Sequence, residues 1–201
     1  MYRKLISLMR ALYFVDDFND NSLSSRWTTS FAYTTGTIVE QNQEIEATGS
    51  GQAAIRSTNS YDMTGKFTSV QMVSPPAANA HYNQEMFWCN NNGTNIAVAG
   101  ANYYLADIYN GNTRFIKSLS GTQTTLFSAA FNATNDAYFR ISESGGNILF
   151  DTSPDGNTWT NRFTGTLAFV ITTEYIFIGS FKDGTVSQTT KFDNFNSNIK
   201  L

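Results

Sequence analysis

The chain has 201 residues, enough for one domain with a full hydrophobic core, yet only 14% of them are charged and the formal net charge is -3. Asn, Ser, Thr and Gly make up about two fifths of the sequence, so its surface is built from amides and hydroxyls, and its 13 scattered Lys and Arg residues form no stripe for phosphates. That balance excludes nucleic acid as the main partner. The single cysteine, Cys89, excludes an internal disulfide and reads beside Trp88 as a small buried hydrophobe, while the single histidine, His81, has no second histidine or nucleophile motif to work with.

Met1 to Val15, MYRKLISLMRALYFV, starts basic and turns apolar, but Arg10 interrupts the apolar run and no small-residue cleavage site precedes Asp16. The segment is too short to span a bilayer. Residues 1–15 are expected to form a docking arm, either a short helix with Leu5, Leu8, Met9 and Leu12 on one side or an extended strand. Its seat is the chain's own domain or a neighbouring subunit. Residues 16–201 form the domain itself.

From Asp16 onward the chain is a succession of short strands and turns. DDFNDNSLSSRW offers Phe18, Leu23 and Trp27 as apolar anchors in a polar loop. Strands are expected at Gly36 to Glu40, Glu44 to Ala47, Ala53 to Ser57 and Phe67 to Ser74, then at Gln84 to Cys89, Asn95 to Ala99, Tyr103 to Tyr109, Thr113 to Leu119 and Thr124 to Phe131. The least ambiguous stretch follows, Tyr138 to Thr160. Two alternating runs meet at Gly145 and Gly146, a β-hairpin, and Ser153, Pro154, Asp155 and Gly156 then suit a type I turn with the φ > 0 position on glycine. Leu167 to Ile171, Tyr175 to Ser180 and Lys191 to Phe195 complete the series. No helix is expected after residue 15, and no fixed period marks a propeller or β-helix. Alternation assigns Val70, Met72, Ile96, Val98, Tyr104, Ala106, Ile108, Phe139 and Ile141 to the core. The fold class is all-β, a two-sheet antiparallel sandwich or barrel.

Three pieces of sequence, in order, resemble the concanavalin A-like lectin and glucanase superfamily, and bacterial and phage members of the laminin-G-like kind in particular. They are DDFNDNSLSSRW at Asp16 to Trp27, the late YFRI followed by SPDGNTW, and the closing FDNF at Phe192 to Phe195. The resemblance implies a jelly-roll β-sandwich with one concave sheet and with its first and last strands adjacent. Ser153 to Trp159 also resembles the aspartate-box turn of sialidase propellers, but it lacks the usual spacer and occurs once.

Glycosidases of the superfamily carry Glu-x-Asp-x-x-Glu on one strand, because an acid and a nucleophile must flank the glycosidic bond about 5–5.5 Å apart in a retaining enzyme. Glu44 and Glu46 are the nearest approach to that pattern. They lack the third carboxylate and the aromatic flank, and read as a solvated strand face. No phosphate loop, zinc cluster or Ser-His-Asp set is present, so the chain is expected not to be an enzyme. The resemblance implies instead a structural Ca2+ joining first strand to last, with Asp16 or Asp17 and Asp193 as ligands. A glycan platform is expected where Tyr103, Asp107 and Tyr109 point outward from one strand, with Trp88 and Asn90 to Asn92 adding a ring and amides.

The uncleaved apolar arm, the uncharged wet surface and the missing catalytic set together suggest a non-catalytic surface component of an assembly. The expected type is a phage virion protein, a decoration or tail-fibre subunit with a glycan-binding face, located in the virion as a homo-oligomer or bound to other virion proteins. The alternative is an extracellular or cell-surface carbohydrate-binding module of a bacterial surface or secreted system, and the third reading is a glycosidase.

Overall fold

The computed structural model describes residues 12–32, 36–49, 51–74, 82–91, 100–182 and 188–201. His81, the expected strand at Asn95 to Ala99 and the arm residues Leu5, Leu8 and Met9 lie outside them. The strands are β1 (Trp27–Ala32), β2 (Thr37–Gln41), β3 (Glu44–Gly49), β4 (Ala53–Ser57), β5 (Phe67–Ser74), β6 (Tyr82–Cys89) and β7 (Tyr103–Tyr109), then β8 (Asn112–Leu119), β9 (Thr122–Ala130), β10 (Tyr138–Ser144), β11 (Asn147–Ser153), β12 (Thr160–Thr166), β13 (Tyr175–Lys182) and β14 (Gln188–Ser197). They form two seven-stranded antiparallel sheets. The front sheet runs β1-β4-β13-β6-β7-β8-β9, and the back sheet runs β12-β11-β10-β5-β14-β3-β2. No helix among the described residues is long and apolar enough to cross a membrane.

The core lies between the sheets, and period-two alternation selects it. Tyr104, Ala106 and Ile108 of β7 meet Val70 and Met72 of β5 and Phe139 and Ile141 of β10, all essentially without solvent exposure. An aromatic contact joins one sheet to the other, Phe115 of β8 stacking on Phe150 of β11 at 5.1 Å, and within the back sheet Phe139 meets Phe150 edge-on at 5.3 Å. The central hairpin closes with Gly145 and Gly146 both at positive φ, as a type I′ turn requires. In the following turn Ser153 Oγ accepts from the Asp155 and Gly156 amides, and Gly156 sits at φ 73°.

Three expectations fail, and two of the failures have a clear physical reason. β1 and β12 were not expected as strands. β12 reads TNRFTGT and is an edge strand, mostly exposed, so no apolar alternation marks it. The apolar run Leu167 to Ile171 is a loop, not a strand. Leu167, Ala168 and Phe169 pack against the core, with Phe169 stacked on Tyr104 at 4.6 Å and the Ala168 amide donating to Tyr104 Oη. Hydrophobicity there reports a plug at one end of the sandwich.

Residues 13–16 run antiparallel beside the end of β14. Tyr13 bridges Lys200, the Phe14 amide donates to Ile199 O, and Asp16 bridges Phe195. Phe14 is fully buried against Trp27 and Phe195, whereas Leu12 is 53% exposed.

Gly179 of β13 lies opposite Ala54 of β4. A Cβ built there would come within 2.3 Å of Ala53 O and 2.6 Å of Ala54 Cα, both backbone atoms with no room to yield. Gly179→Ala should therefore lower unfolding free energy by about 1–3 kcal/mol in a urea titration. An unchanged midpoint would mean that β4 and β13 are not this close.

Candidate active site

The outward positions of β6 are Asn83, Glu85, Phe87 and Cys89, and those of β7 are Tyr103, Leu105, Asp107 and Tyr109. Antiparallel register sets Glu85 opposite Asp107, and Asp107 opposite Arg114 of β8. One row across the front sheet is thus Gly179, Glu85, Asp107, Arg114. The neighbouring row is apolar: Phe177 stacks on Phe87 at 4.4 Å, followed by Leu105 and Ile116. Gln52, Asn83, Tyr103, Tyr109 and Gln123 complete the walls of a hollow of about 270 Å³ that Glu85 and Asp107 also line.

Asn83 Nδ2 donates to Glu85 Oε2 at 2.9 Å and to Asp107 Oδ2 at 3.4 Å. Those two oxygens can be no further apart than the sum of the two distances, which is short of the ~6.5 Å where inverting glycosidases begin. Arg114 Nε donates to Asp107 Oδ1 at 2.9 Å and its Nη2 to Oδ2, a two-point grip. Its guanidinium lies 4.1 Å from the centroid of the Tyr109 ring. Burial, with the Asp107 charge adding to it, pushes the Glu85 carboxyl up to about 8 against the opposing Asn83 hydrogen bond and Arg114 charge. Burial also raises Asp107, opposed by the hydrogen bonds and charge of Arg114. Two carboxyls this close do not both ionise readily, and of the two only Asp107 is gripped directly by a guanidinium. The guanidinium thus favours the charged form of Asp107 more directly than that of Glu85.

The expected platform is only partly formed. Tyr103, Asp107 and Tyr109 do share one face, but Tyr103 is 3% exposed with its Oη accepting from Gln123 Nε2, and Asp107 has no exposure at all. Trp88 is corrected outright. It points into the core, fully buried, and donates through Nε1 to Thr68 Oγ1 at 2.7 Å, because it alternates with Phe87 and Cys89 on β6. Cys89 is buried, and its thiol is pushed up to about 12 by that burial, so it is an inert hydrophobe. Glu44 and Glu46 lie on the back sheet and both pair with Lys191, and Glu46 also accepts from Gln41 and Asn42.

Asp16 accepts from Trp27 Nε1 through Oδ2 and from the Phe18 amide through Oδ1, while Asp193 accepts from the amide and side chain of Asn194. Asp16 and Asp17 line a separate hollow with Tyr138, Asp155 and Asn194. Among the described residues no group of three or more His, Cys, Asp or Glu side chains is placed to hold a metal ion.

No protein-family model matches the chain, and no curated protein matches it. Solved structures do. A prokaryotic β-1,3-1,4-glucanase (lichenase) from a mouse hindgut metagenome superposes with a TM-score of 0.67 at 10% identity, over 94% of this chain and 99% of the other. The chain has the concanavalin A-like jelly-roll fold. A Bacillus licheniformis β-glucanase follows at TM-score 0.65, 12% identity and 90% and 95% coverage. A carbohydrate-binding module from Bacillus subtilis gives 0.56, 15%, 86% and 94%.

Two expectations give way together. The non-catalytic virion component is not what this jelly roll's neighbours are, since they are glucanases and a carbohydrate-binding module. The sequence reading looked for a carboxyl pair along single strands, whereas the front sheet sets two carboxyls side by side across two, Glu85 on β6 and Asp107 on β7. Arg114 was missed likewise. Period two on β6 would have put Glu85 on the face opposite Met86 and Trp88, but only the register between strands says what it faces.

Glu174, next to β13, is another buried acid. It has no exposure, neither carboxyl oxygen has a hydrogen-bond partner among the described residues, and burial raises it to about 8. Both Glu85 and Glu174 hold protons in the folded state that the unfolded chain releases near 4.5. Their contribution to stability is complete below that value and is lost as pH rises through about 8. The urea midpoint should fall between pH 5 and pH 9, and Glu174→Gln should flatten the fall. An E174Q slope equal to wild type would rule out a proton held at Glu174.

Proposed function

We propose that this jelly roll is an extracellular glycoside hydrolase whose front-sheet hollow takes a neutral glycan. The observation that carries the reading is the Glu85–Asp107 pair, two carboxyls within reach of one amide nitrogen, of which only Asp107 is gripped by a guanidinium. In the first step the Glu85 proton passes to the glycosidic oxygen as its bond to the anomeric carbon breaks, and an Asp107 oxygen bonds to that carbon. In the second step water attacks the glycosyl ester, gives its proton to the Glu85 carboxylate and releases Asp107 as carboxylate. The sugar-binding surface is the ring of Tyr109 with Asn83, Tyr103 and Gln123. The one guanidinium of the row is already held by Asp107, so a uronate has no free cation there and a neutral sugar suits the hollow. The names of the structural neighbours support the same class of ligand.

One observation favours a second reading, that of a carbohydrate-binding module. Asp107 has no exposure and Glu85 is 2% exposed, which suits a floor that accepts and donates hydrogen bonds without reacting.

Reducing-end release from mixed-linkage β-glucan and a panel of neutral polysaccharides, with binding measured in parallel by affinity electrophoresis, separates the two. As a hydrolase, the wild type releases reducing ends and Glu85→Gln loses about 10²–10⁴-fold in rate while retaining binding. Binding that is lost in Tyr109→Ala, without release by the wild type, makes the protein a binding module. No release and no binding across the panel would sink both readings.

A further inference from the structure

Arg114 does not line up with a substrate bond; it lines up with Asp107. It is the cross-strand neighbour of Asp107 on β8, grips both of its oxygens, and is itself braced by the Tyr109 ring at 4.1 Å. Its side chain keeps 23% exposure while that of Asp107 has none, so the guanidinium closes the carboxylate off from water on that side. Around Glu85 the arrangement is lopsided. From β6 it meets the Asn83 amide, from β7 Asp107 and the Tyr103 phenol, and from β8 the more distant charge of Arg114. On the β13 side its partner is Gly179, which has no side chain to offer. The other guanidinium on this face, Arg56, is held over Tyr175 at 5.1 Å and by the carbonyls of Ser57 and Thr58.

We propose that Arg114 is a positioning residue that decides which of the two carboxyls carries the proton, holding Asp107 as the carboxylate and leaving Glu85 as the acid. Without Arg114 the two carboxyls would be near equivalents, joined by one Asn83 amide and each buried, and they would share one proton between them. The asymmetry that separates an acid from a nucleophile thus comes from a third strand and not from either carboxyl's own. The catalytic meaning of this device rests on the hydrolase reading; the proton's location does not.

The test is a ¹³C carboxyl NMR titration of the full chain, wild type against Arg114→Met and Arg114→Lys, from pH 3 to 10, with the pH–rate profile recorded beside it. In the wild type Asp107 titrates on the acid side and Glu85 well above it. In R114M the Asp107 step moves up by at least one pH unit toward that of Glu85, and the acid limb of the rate profile moves with it. R114K, which keeps the charge without the two-point grip, falls between. Titration curves in R114M or R114K that coincide with wild type, or a wild type in which Asp107 holds the proton at neutral pH, would overturn the proposal. If R114M does not fold, as judged by near-UV circular dichroism, the R114K comparison decides. Because the titration needs no substrate, a shifted Asp107 step in a protein that releases no reducing ends would keep this inference and discard the hydrolase reading.

Discussion

The pairing of β6 with β7 in the register that sets Glu85 opposite Asp107 is the constraint on which the front sheet depends. Nothing about the two carboxyls favours it, since bringing them together out of water penalises the charge on both. The register is enforced from the other face. Met86 and Trp88 of β6, and Tyr104, Ala106 and Ile108 of β7, are core residues with almost no exposure, and a slip of one residue would turn them all outward. A hydrophobic core of this size therefore holds two like groups side by side and lets the surface inherit its accuracy.

The buried acids of this chain show how environment sorts chemically similar groups. Glu46 accepts from Gln41, Asn42 and Lys191, and the hydrogen bonds from Gln41 and Asn42 foremost hold it below the ordinary carboxylate range. The Glu174 carboxyl has no hydrogen-bond partner among the described residues, and burial alone raises it. Glu85 and Asp107 stand between these extremes, each with some of its burial compensated, and by different neighbours. Burial sets how strongly a proton is held, and the nearest donor or cation sets where. Only the last arrangement leaves two adjacent groups in different states, which is what acid–base chemistry needs.

Much of the architecture was legible in the sequence because its signals are local. Gly145 and Gly146 between alternating runs define a hairpin whatever surrounds them, and Tyr104, Ala106 and Ile108 announce an inward face by period alone. What escaped was carried by partners. β12 has no apolar period because it sits at an edge, and Leu167 to Ile171 has an apolar run because it caps the core, so hydrophobicity misled in both directions. The carboxyl pair escaped for the same reason: Glu85 and Asp107 become neighbours only once β6 and β7 are set in register. Tyr109 was found as an outward residue, but not as the brace of an arginine three residues beyond the turn that joins β7 to β8.

The seam between residues 13–16 and the strand that closes the domain has its own meaning. Tyr13 lies beside Lys200 and Asp16 beside Phe195, and the rings of Phe14, Trp27 and Phe195 fill the space beneath them. The path of the backbone through the domain is in effect a closed circuit, with entry and exit side by side. A domain of that kind can be spliced into a loop of a host protein without stretching it, and two partners fused at its opposite ends would emerge shoulder to shoulder.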